Sequence, residues 1–309
     1  MSFDLSRYRL FLDTPRRVVE PTGWVEHIPF AFFLMELVRP EVVVELGVHS
    51  GNSFNAFCQA AATLRLGASC YGVDTWQGDE HAGFYPEAVY QSLREYQEDE
   101  YGGFAHLLRQ EFDEAAAHFS DGSIDLLHID GLHTYEAVRH DLEHWLPKVS
   151  RRGVVVLHDT QVRERGFGVW RLWEEVSGDY PSLEFTHSHG LGVLLVGAAV
   201  DEPVRAFAEA CRGSDFYPAL FHRLGSAVLQ AHRLEMATAR NHELEAELAR
   251  TGERLVAEQE TARATMDSAR VLESALAEKE TAVRHLLGST SWRLTAPLRA
   301  IGSLLHGRR

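Results

Sequence analysis

The chain predicts an α/β fold: a doubly wound, mostly parallel sheet followed by a long C-terminal helix or coiled coil. Three observations predict it. Short apolar runs alternate with helix-like stretches through residues 1–200. Two of those runs, Val42-Val43-Val44-Glu45-Leu46-Gly47 and Leu126-Leu127-His128-Ile129-Asp130-Gly131, end in acidic residues beside glycine. From 234 to 287 the composition then shifts to Ala, Glu, Leu and Arg. Strand and helix in regular succession give a layered sheet covered by helices. Parallel strands in such a sheet are buried on both faces, and chemistry gathers past their carboxyl ends.

In chain order, the first strand spans 42–46 and runs into a turn closed by Gly51. A helix over 53–66 follows, starting near Asn52 or Ser53, both good N-caps. The next strands are expected at 69–73, ending in Asp74, then at 106–109 and 124–129. A helix over 135–146 leads to a strand at 154–157 that ends in His158-Asp159. The run at 191–196 follows so closely on Leu183-Glu184-Phe185-Thr186 that the two are expected to form an antiparallel hairpin at one sheet edge. Four segments result: a catalytic-type domain over 1–200, a helical connector over 201–233, a coiled coil or long helix over 234–287, and a tail over 288–309.

Between Pro218 and Pro297 there is no proline. One heptad register puts Leu234, Leu248, Leu255, Leu276 and Val283 at one core position and Leu244, Leu272 and Leu286 at the other. It also places Asn241, Thr251, Glu258, Thr265 and Lys279 in the seam, which weakens pairing through the middle. A solvated single helix with an apolar stripe is the competing reading. In the tail, Trp292, Leu294, Leu298, Ile301, Leu304 and Leu305 fit one face of a short amphipathic helix, with four arginines and no acidic residue from Ser289 onward. Such a helix suits an anionic membrane surface or a partner, or it caps its own chain.

Composition excludes several classes. At 309 residues with 45% hydrophobic and 24% charged residues, the chain has ordinary globular composition. A net charge of −15 argues against a general nucleic-acid binder, which needs a basic face. Cys58, Cys70 and Cys211 show no zinc or disulfide spacing and suit a reducing compartment. The first residues lack the blocks of a signal peptide, and no apolar stretch approaches the ~20 residues of a membrane span. A cytoplasmic protein is the expectation.

Glu45-Leu46-Gly47-Val48-His49-Ser50-Gly51 gives a tight glycine turn between strand and helix, without the third glycine of a dinucleotide fingerprint. Asp74 closes the next strand, where a carboxylate can accept both ribose hydroxyl protons. This pattern resembles the class I S-adenosylmethionine-dependent methyltransferases, which implies a Rossmann-like methyltransferase sheet. By that resemblance Glu45, Gly47 and Gly51 border the methionine part of the cofactor, Asp74 holds the ribose and Trp76 flanks the adenine. The loop Arg109-Gln110-Glu111-Phe112-Asp113 is where the family contacts the base. A buried carboxylate that caps a helix is the structural alternative for Glu45.

His128-Ile129-Asp130-Gly131-Leu132-His133-Thr134-Tyr135 is the most specific stretch. Neighbouring parallel strands lie ~4.8 Å apart, so Asp130 and His158-Asp159 can converge on one divalent cation. The stretch resembles the metal-dependent O-methyltransferase branch, which includes enzymes that methylate sugar hydroxyls, over roughly residues 25–200. The resemblance implies Asp130 and Asp159 as magnesium (Mg2+) ligands and His133 as general base. His158 departs from the branch, and an imidazole there favours transition metals over magnesium. Capping roles at strand ends and at a helix start are the structural alternatives. His81, Tyr85, His187 and His189 are further candidates to face substrate, with the loop from Gly78 to Tyr85 as a lid.

The implied activity is metal-assisted O-methylation of a sugar hydroxyl on a glycan or glycosylated metabolite. The segment Ser289-Thr290-Ser291-Trp292-Arg293-Leu294-Thr295-Ala296-Pro297-Leu298-Arg299 resembles one in bacterial proteins that build surface polysaccharides, which tilts the acceptor toward a glycan. Relatives with this site are also associated with cephalosporin hydroxylase-type chemistry, for which His133, His158 and Asp130 can form a facial triad. The non-enzyme alternative is a cofactor-binding scaffold that places the helical arm, and a homo-oligomer, in an assembly.

Overall fold

The computed structural model describes residues 3–79, 81 and 83–306, with side chains described as far as Ile301. It divides into two compact units, Met1–Glu235 and Met236–Arg309. The first unit begins with α1 (Ile28–Val38), β1 (Val42–Leu46), α2 (Asn52–Leu64) and β2 (Ser69–Asp74). A small hairpin, β3 (Gly78–Asp79) and β4 (Gly83–Phe84), precedes α3 (Glu87–Tyr101), β5 (Ala105–Arg109) and α4 (Phe112–Ala116). Then come β6 (Ile124–Ile129), α5 (Tyr135–Trp145), β7 (Val149–His158), α6 (Val169–Val176), β8 (Ser182–Phe185), β9 (Leu191–Leu194) and α7 (Glu202–Gly213).

The sheet has seven strands in the order β5-β2-β1-β6-β7-β9-β8. The first five are parallel, and β9 alone runs antiparallel to both of its neighbours. This is a doubly wound, Rossmann-like sheet with the order reversing at β1. The expected hairpin is present, with β9 inserted between β7 and β8. Every residue of β6 is buried, as its apolar run requires. Strand β7 starts five residues earlier than its valine run, because Val149 also pairs with Ile124, ahead of a register shift between Ile124 and Leu126.

Helix α1 has no apolar–polar period to read, since Ile-Pro-Phe-Ala-Phe-Phe-Leu-Met-Glu-Leu-Val is hydrophobic nearly all round. A helix of that kind belongs in a core. All of it but Glu36 is buried, and the Glu36 carboxylate accepts the backbone N–H groups of Arg9 and Leu10 at 2.9 Å each. Phe30 packs on Phe185 of β8 (ring centroids 4.4 Å apart), and Phe33 packs on Phe207 of α7 (4.6 Å).

A long helix, α8 (Phe216–Gly288), begins in this core through Phe221, Gly225 and His232. A Cβ on Gly225 would meet the Glu26 carbonyl oxygen at 1.8 Å, so only glycine lets the helix sit this close. Residues 201–233, expected as a connector, therefore lie within the first unit and supply part of its core.

In the second unit α8 continues unbroken to Gly288 with all its side chains exposed, including Leu248, Leu255 and Leu276 of the heptad seam. Two short helices follow, α9 (Thr290–Leu294) and α10 (Ala296–His306), where one amphipathic helix was expected. The break falls at Thr295, ahead of Pro297. Across it the Arg299 guanidinium covers the Trp292 ring at 3.5 Å and donates to the Trp292 carbonyl at 2.6 Å. Leu294, Leu298 and Ile301 are exposed. The side chains of Leu304 and Leu305 lie outside the described residues. No described helix is long and apolar enough to cross a membrane.

Candidate active site

The turn after β1 is fixed by its neighbours on both sides. Gly47 N–H donates to the Val73 carbonyl at 2.9 Å, and Asp130 N–H donates to the Leu46 carbonyl at 2.8 Å. Gly47 has φ +85°, and a Cβ there would lie 2.0 Å from the Asp130 carbonyl oxygen. Its glycine is thus required by contact between two strand ends as well as by backbone conformation. Gly51, also left-handed, is the N-cap of α2 and faces Leu93. Asn52 and Ser53, expected as caps, are instead the first helical residues. The Asn52 amide donates to the carbonyls of Val19 (2.7 Å) and Pro21 (2.9 Å), and the Ser53 hydroxyl donates to Glu45 Oε1 at 2.6 Å.

Glu45 is fully buried and lines neither cavity of the site. Burial raises its carboxyl pKa, opposed by His128 and by the Ser53 hydroxyl. His128 Nδ1 lies 3.4 Å from Glu45 Oε2, and His128 Nε2 accepts the Trp24 indole N–H at 3.2 Å. Glu45 therefore anchors the first turn of α2 through Ser53 and stands behind the ligand space, where the resemblance placed it at the cofactor.

Asp74 does border the second cavity, but its carboxylate is largely committed. Oδ2 accepts Val48 N–H and His49 N–H at 2.9 Å each, and Oδ1 accepts Trp76 N–H at 2.7 Å. Each oxygen has two lone pairs, so room remains for one hydroxyl, not the expected pair. Trp76 is a second correction. At φ +52° its ring turns inward, 2% exposed, with the indole N–H on the His49 carbonyl at 2.9 Å and the ring 4.8 Å from Tyr90. Tyr85, not Trp76, supplies an aromatic wall.

Two adjoining cavities open at the carboxyl end of the sheet. One, of about 650 Å³, lies along the ends of β1, β2 and β6 and is bordered by Asp74, Glu111, Phe112, Asp113 and Asp141 among others. Part of the loop after β5, from Glu111 to Asp113, thus borders it. The other, of about 880 Å³, is lined by Trp24, His81, His158, Asp159, Phe167 and His189 among others. They share Gly47, His49, Tyr85, Asp130 and His133. Glu80 and Ala82 of the expected lid lie outside the described residues.

At the junction the ends of β6 and β7 bring four side chains together. His133 Nε2 lies 2.8 Å from Asp159 Oδ2 and 3.5 Å from Asp130 Oδ1. His158 Nδ1 lies 3.2 Å from Asp130 Oδ1 and 3.4 Å from Asp159 Oδ2. His189, on the loop before β9, reaches Asp159 at 3.4 Å. Burial opposes ionisation of Asp130 and Asp159, yet the His158 charge and hydrogen bonds from both imidazoles hold each carboxyl well below the usual range. Burial likewise works against protonation of His133, and its hydrogen bonds to Asp130 and Asp159 overcome it to raise its pKa to about 9. His158 is raised well above its ordinary value by the same two carboxylates.

His49 and Phe167 were missed in the sequence. His49 sits inside the glycine turn with φ +50°, a position that itself marks it as special. Phe167 stacks against both His81 (4.6 Å) and His133 (4.5 Å), which no local pattern announces. His187 lines neither cavity and stacks on His222 at 4.6 Å.

His187 makes a pH prediction. Burial, then the His222 charge, lower its pKa from 6.5 to about 4. Between these values the unfolded chain binds a proton that the folded chain does not, so stability is full above pH 6.5 and falls as pH drops through the window. In thermal melts, His187→Asn is expected to flatten the fall in Tm between pH 6.5 and 4. Parallel slopes for the two proteins would refute this.

Residues 44–160 match a methyltransferase domain. The match runs from β1 to just beyond Asp159, and so contains both acidic strand ends and every member of the carboxylate–imidazole cluster except His189. An uncharacterized protein of Sinorhizobium fredii, y4gI, is 45% identical over 205 residues, 66% of this chain. The chain spans about a fifth (22%) of that relative's length. Among solved structures, the O-methyltransferase TomG of Streptomyces achromogenes, involved in tomaymycin synthesis, is similar at 14% identity, over 59% of this chain and 82% of its own (TM-score 0.42). The methyltransferase PaMTH1 of Podospora anserina is similar at 14% identity, over 54% and 76% (TM-score 0.42).

Proposed function

We propose that the chain is an S-adenosylmethionine-dependent methyltransferase that methylates a sugar hydroxyl of a glycan or glycosylated metabolite, assisted by a divalent cation. The observation that carries this reading is the junction itself. A cavity along the ends of β1 and β2 meets a second, larger one at Asp130 and His133.

The donor set fits a cation. His158 Nδ1 lies 3.2 Å from Asp130 Oδ1 and 3.4 Å from Asp159 Oδ2, and two carboxylates with an imidazole suit a divalent ion. The first cavity fits a nucleoside-sized cofactor in volume, with one acceptor position left on Asp74. S-adenosylmethionine, held along this cavity beside Asp74, would supply an electrophilic methyl on a sulfonium centre. A divalent cation held by Asp130, His158 and Asp159 would supply Lewis acidity toward the acceptor hydroxyl and offset the charge of the two carboxylates.

His133 receives the hydroxyl proton in this reading. An imidazole held near pKa 9 keeps its own proton at neutral pH and has nothing to accept with. The base role therefore depends on the charge of Asp130 and Asp159 being engaged elsewhere, which couples base and metal in one device. The Phe167 ring, stacked on His133, offers an apolar platform for a sugar face. The exposed seam of α8 supports pairing with a second copy, and the basic, apolar tail supports peripheral contact with a membrane or partner, in a cytoplasmic setting.

The acceptor class is tested with methyl-labelled cofactor, magnesium, and matched glycosides and phenols. Label on a glycoside is expected; label on phenols alone would remove the sugar reading. A second reading has one observation in its favour: His133 and His158 both lie within 3.5 Å of Asp130, the makings of a facial triad. Iron-dependent oxygen uptake would select that hydroxylase-like chemistry.

A further inference from the structure

Apart from the junction, a second group of metal-type ligands lies where α4 meets α5. His140 and His144 stand four residues apart on α5, so their imidazoles share one face of the helix. The rings lie 5.7 Å apart and nearly parallel, at 11°. Both present Nε2 to the same carboxylate, Asp113 in the first turn of α4. His140 Nε2 is 2.9 Å from Asp113 Oδ1 and 3.1 Å from Oδ2, and His144 Nε2 is 3.9 Å from Oδ1. One ligand atom from each residue lies within 4.8 Å of the others. Glu143, between the histidines, is committed to Arg139 at 2.7 Å, so the third ligand comes from α4.

We propose that Asp113, His140 and His144 form a second divalent-metal site, taking a zinc-class transition ion. Two imidazoles and one carboxylate are the donor set of an open tetrahedral zinc centre, with solvent in the fourth position. Imidazole pairs select such ions over magnesium and calcium, which take oxygen shells. Ligand atoms in a zinc shell stand some 3–3.5 Å apart, given bonds of ~2.0–2.1 Å, so small rotations of exposed side chains close the site. All three residues are exposed, which keeps the desolvation cost of assembly small. The site shares no residue with the Asp130 cluster and does not depend on the methyltransferase reading. Asp113 and His140 also border the smaller cavity, so a bound ion would tie α4 to α5 along its wall.

The test uses tag-free, metal-stripped full-length chain titrated with Zn2+ by calorimetry and with Co2+ by visible absorption. A ligand should matter at least as much as the outer-shell partners of a metal, whose loss costs ~10–100-fold in affinity. His140→Ala and His144→Ala are each expected to weaken one zinc equivalent by at least ~10-fold and to remove its cobalt band, while Asp130→Asn leaves that equivalent in place. Exposed positions make these variants benign to folding, which circular dichroism checks. Retention of every wild-type equivalent by the His140→Ala/His144→Ala double variant would overturn the proposal. So would loss of all zinc binding in Asp130→Asn.

Discussion

Asp130→Asn is expected to lower kcat/KM for methyl transfer by ~10³-fold, with the fold retained. The side chain keeps its shape and can still accept from one imidazole, so the loss is mainly that of a charge. That charge would hold the proposed cation, and it lies within 3.5 Å of both His133 and His158. Metal assistance is worth several kcal/mol in the transition state, and ~4 kcal/mol corresponds to about three decades in rate. The decisive measurement is kcat/KM against magnesium concentration, alongside a thermal melt. Wild-type turnover in this variant would remove Asp130 from the chemistry.

Gly47→Ala carries the largest expected stability effect. An alanine at φ +85° costs ~1–2 kcal/mol through its backbone conformation alone. Its Cβ would also stand 2.0 Å from the Asp130 carbonyl oxygen, which β6 cannot move without disturbing the site. A total of about 3 kcal/mol or more follows, because the clashing atoms, of Asp130 and Gly131, are all backbone. Urea unfolding reads it directly. A loss below ~1 kcal/mol would mean that the β1 turn and the end of β6 are not in the contact described.

The sheet was legible because its central strands are continuous apolar runs, and no other element buries Val43, Val44 and Leu46 together on both faces. The junction was legible for a related reason. Asp130, His158 and Asp159 end strands that are neighbours in the sheet, so sequence position alone brings them within reach. Helix α1 was not, because hydrophobicity all round leaves no period to detect. Trp76 and Glu45 show a different limit. A positive φ turns the tryptophan inward, and partners in Ser53 and His128 draw the carboxylate behind the site; neither effect has a local signature. Asp113 and His140 are 27 residues apart, and only the packing of α4 on α5 joins them.

The central claim rests on the cavity along β1 and β2 holding S-adenosylmethionine beside a metal-assisted site. Its most direct test is calorimetric titration of S-adenosylmethionine into the purified chain, with and without magnesium. The expected result is saturable one-to-one binding of micromolar order, with a difference between the two titrations that reports coupling through Asp130. Absence of binding in both conditions would contradict the claim and leave a scaffold that presents its helical arm.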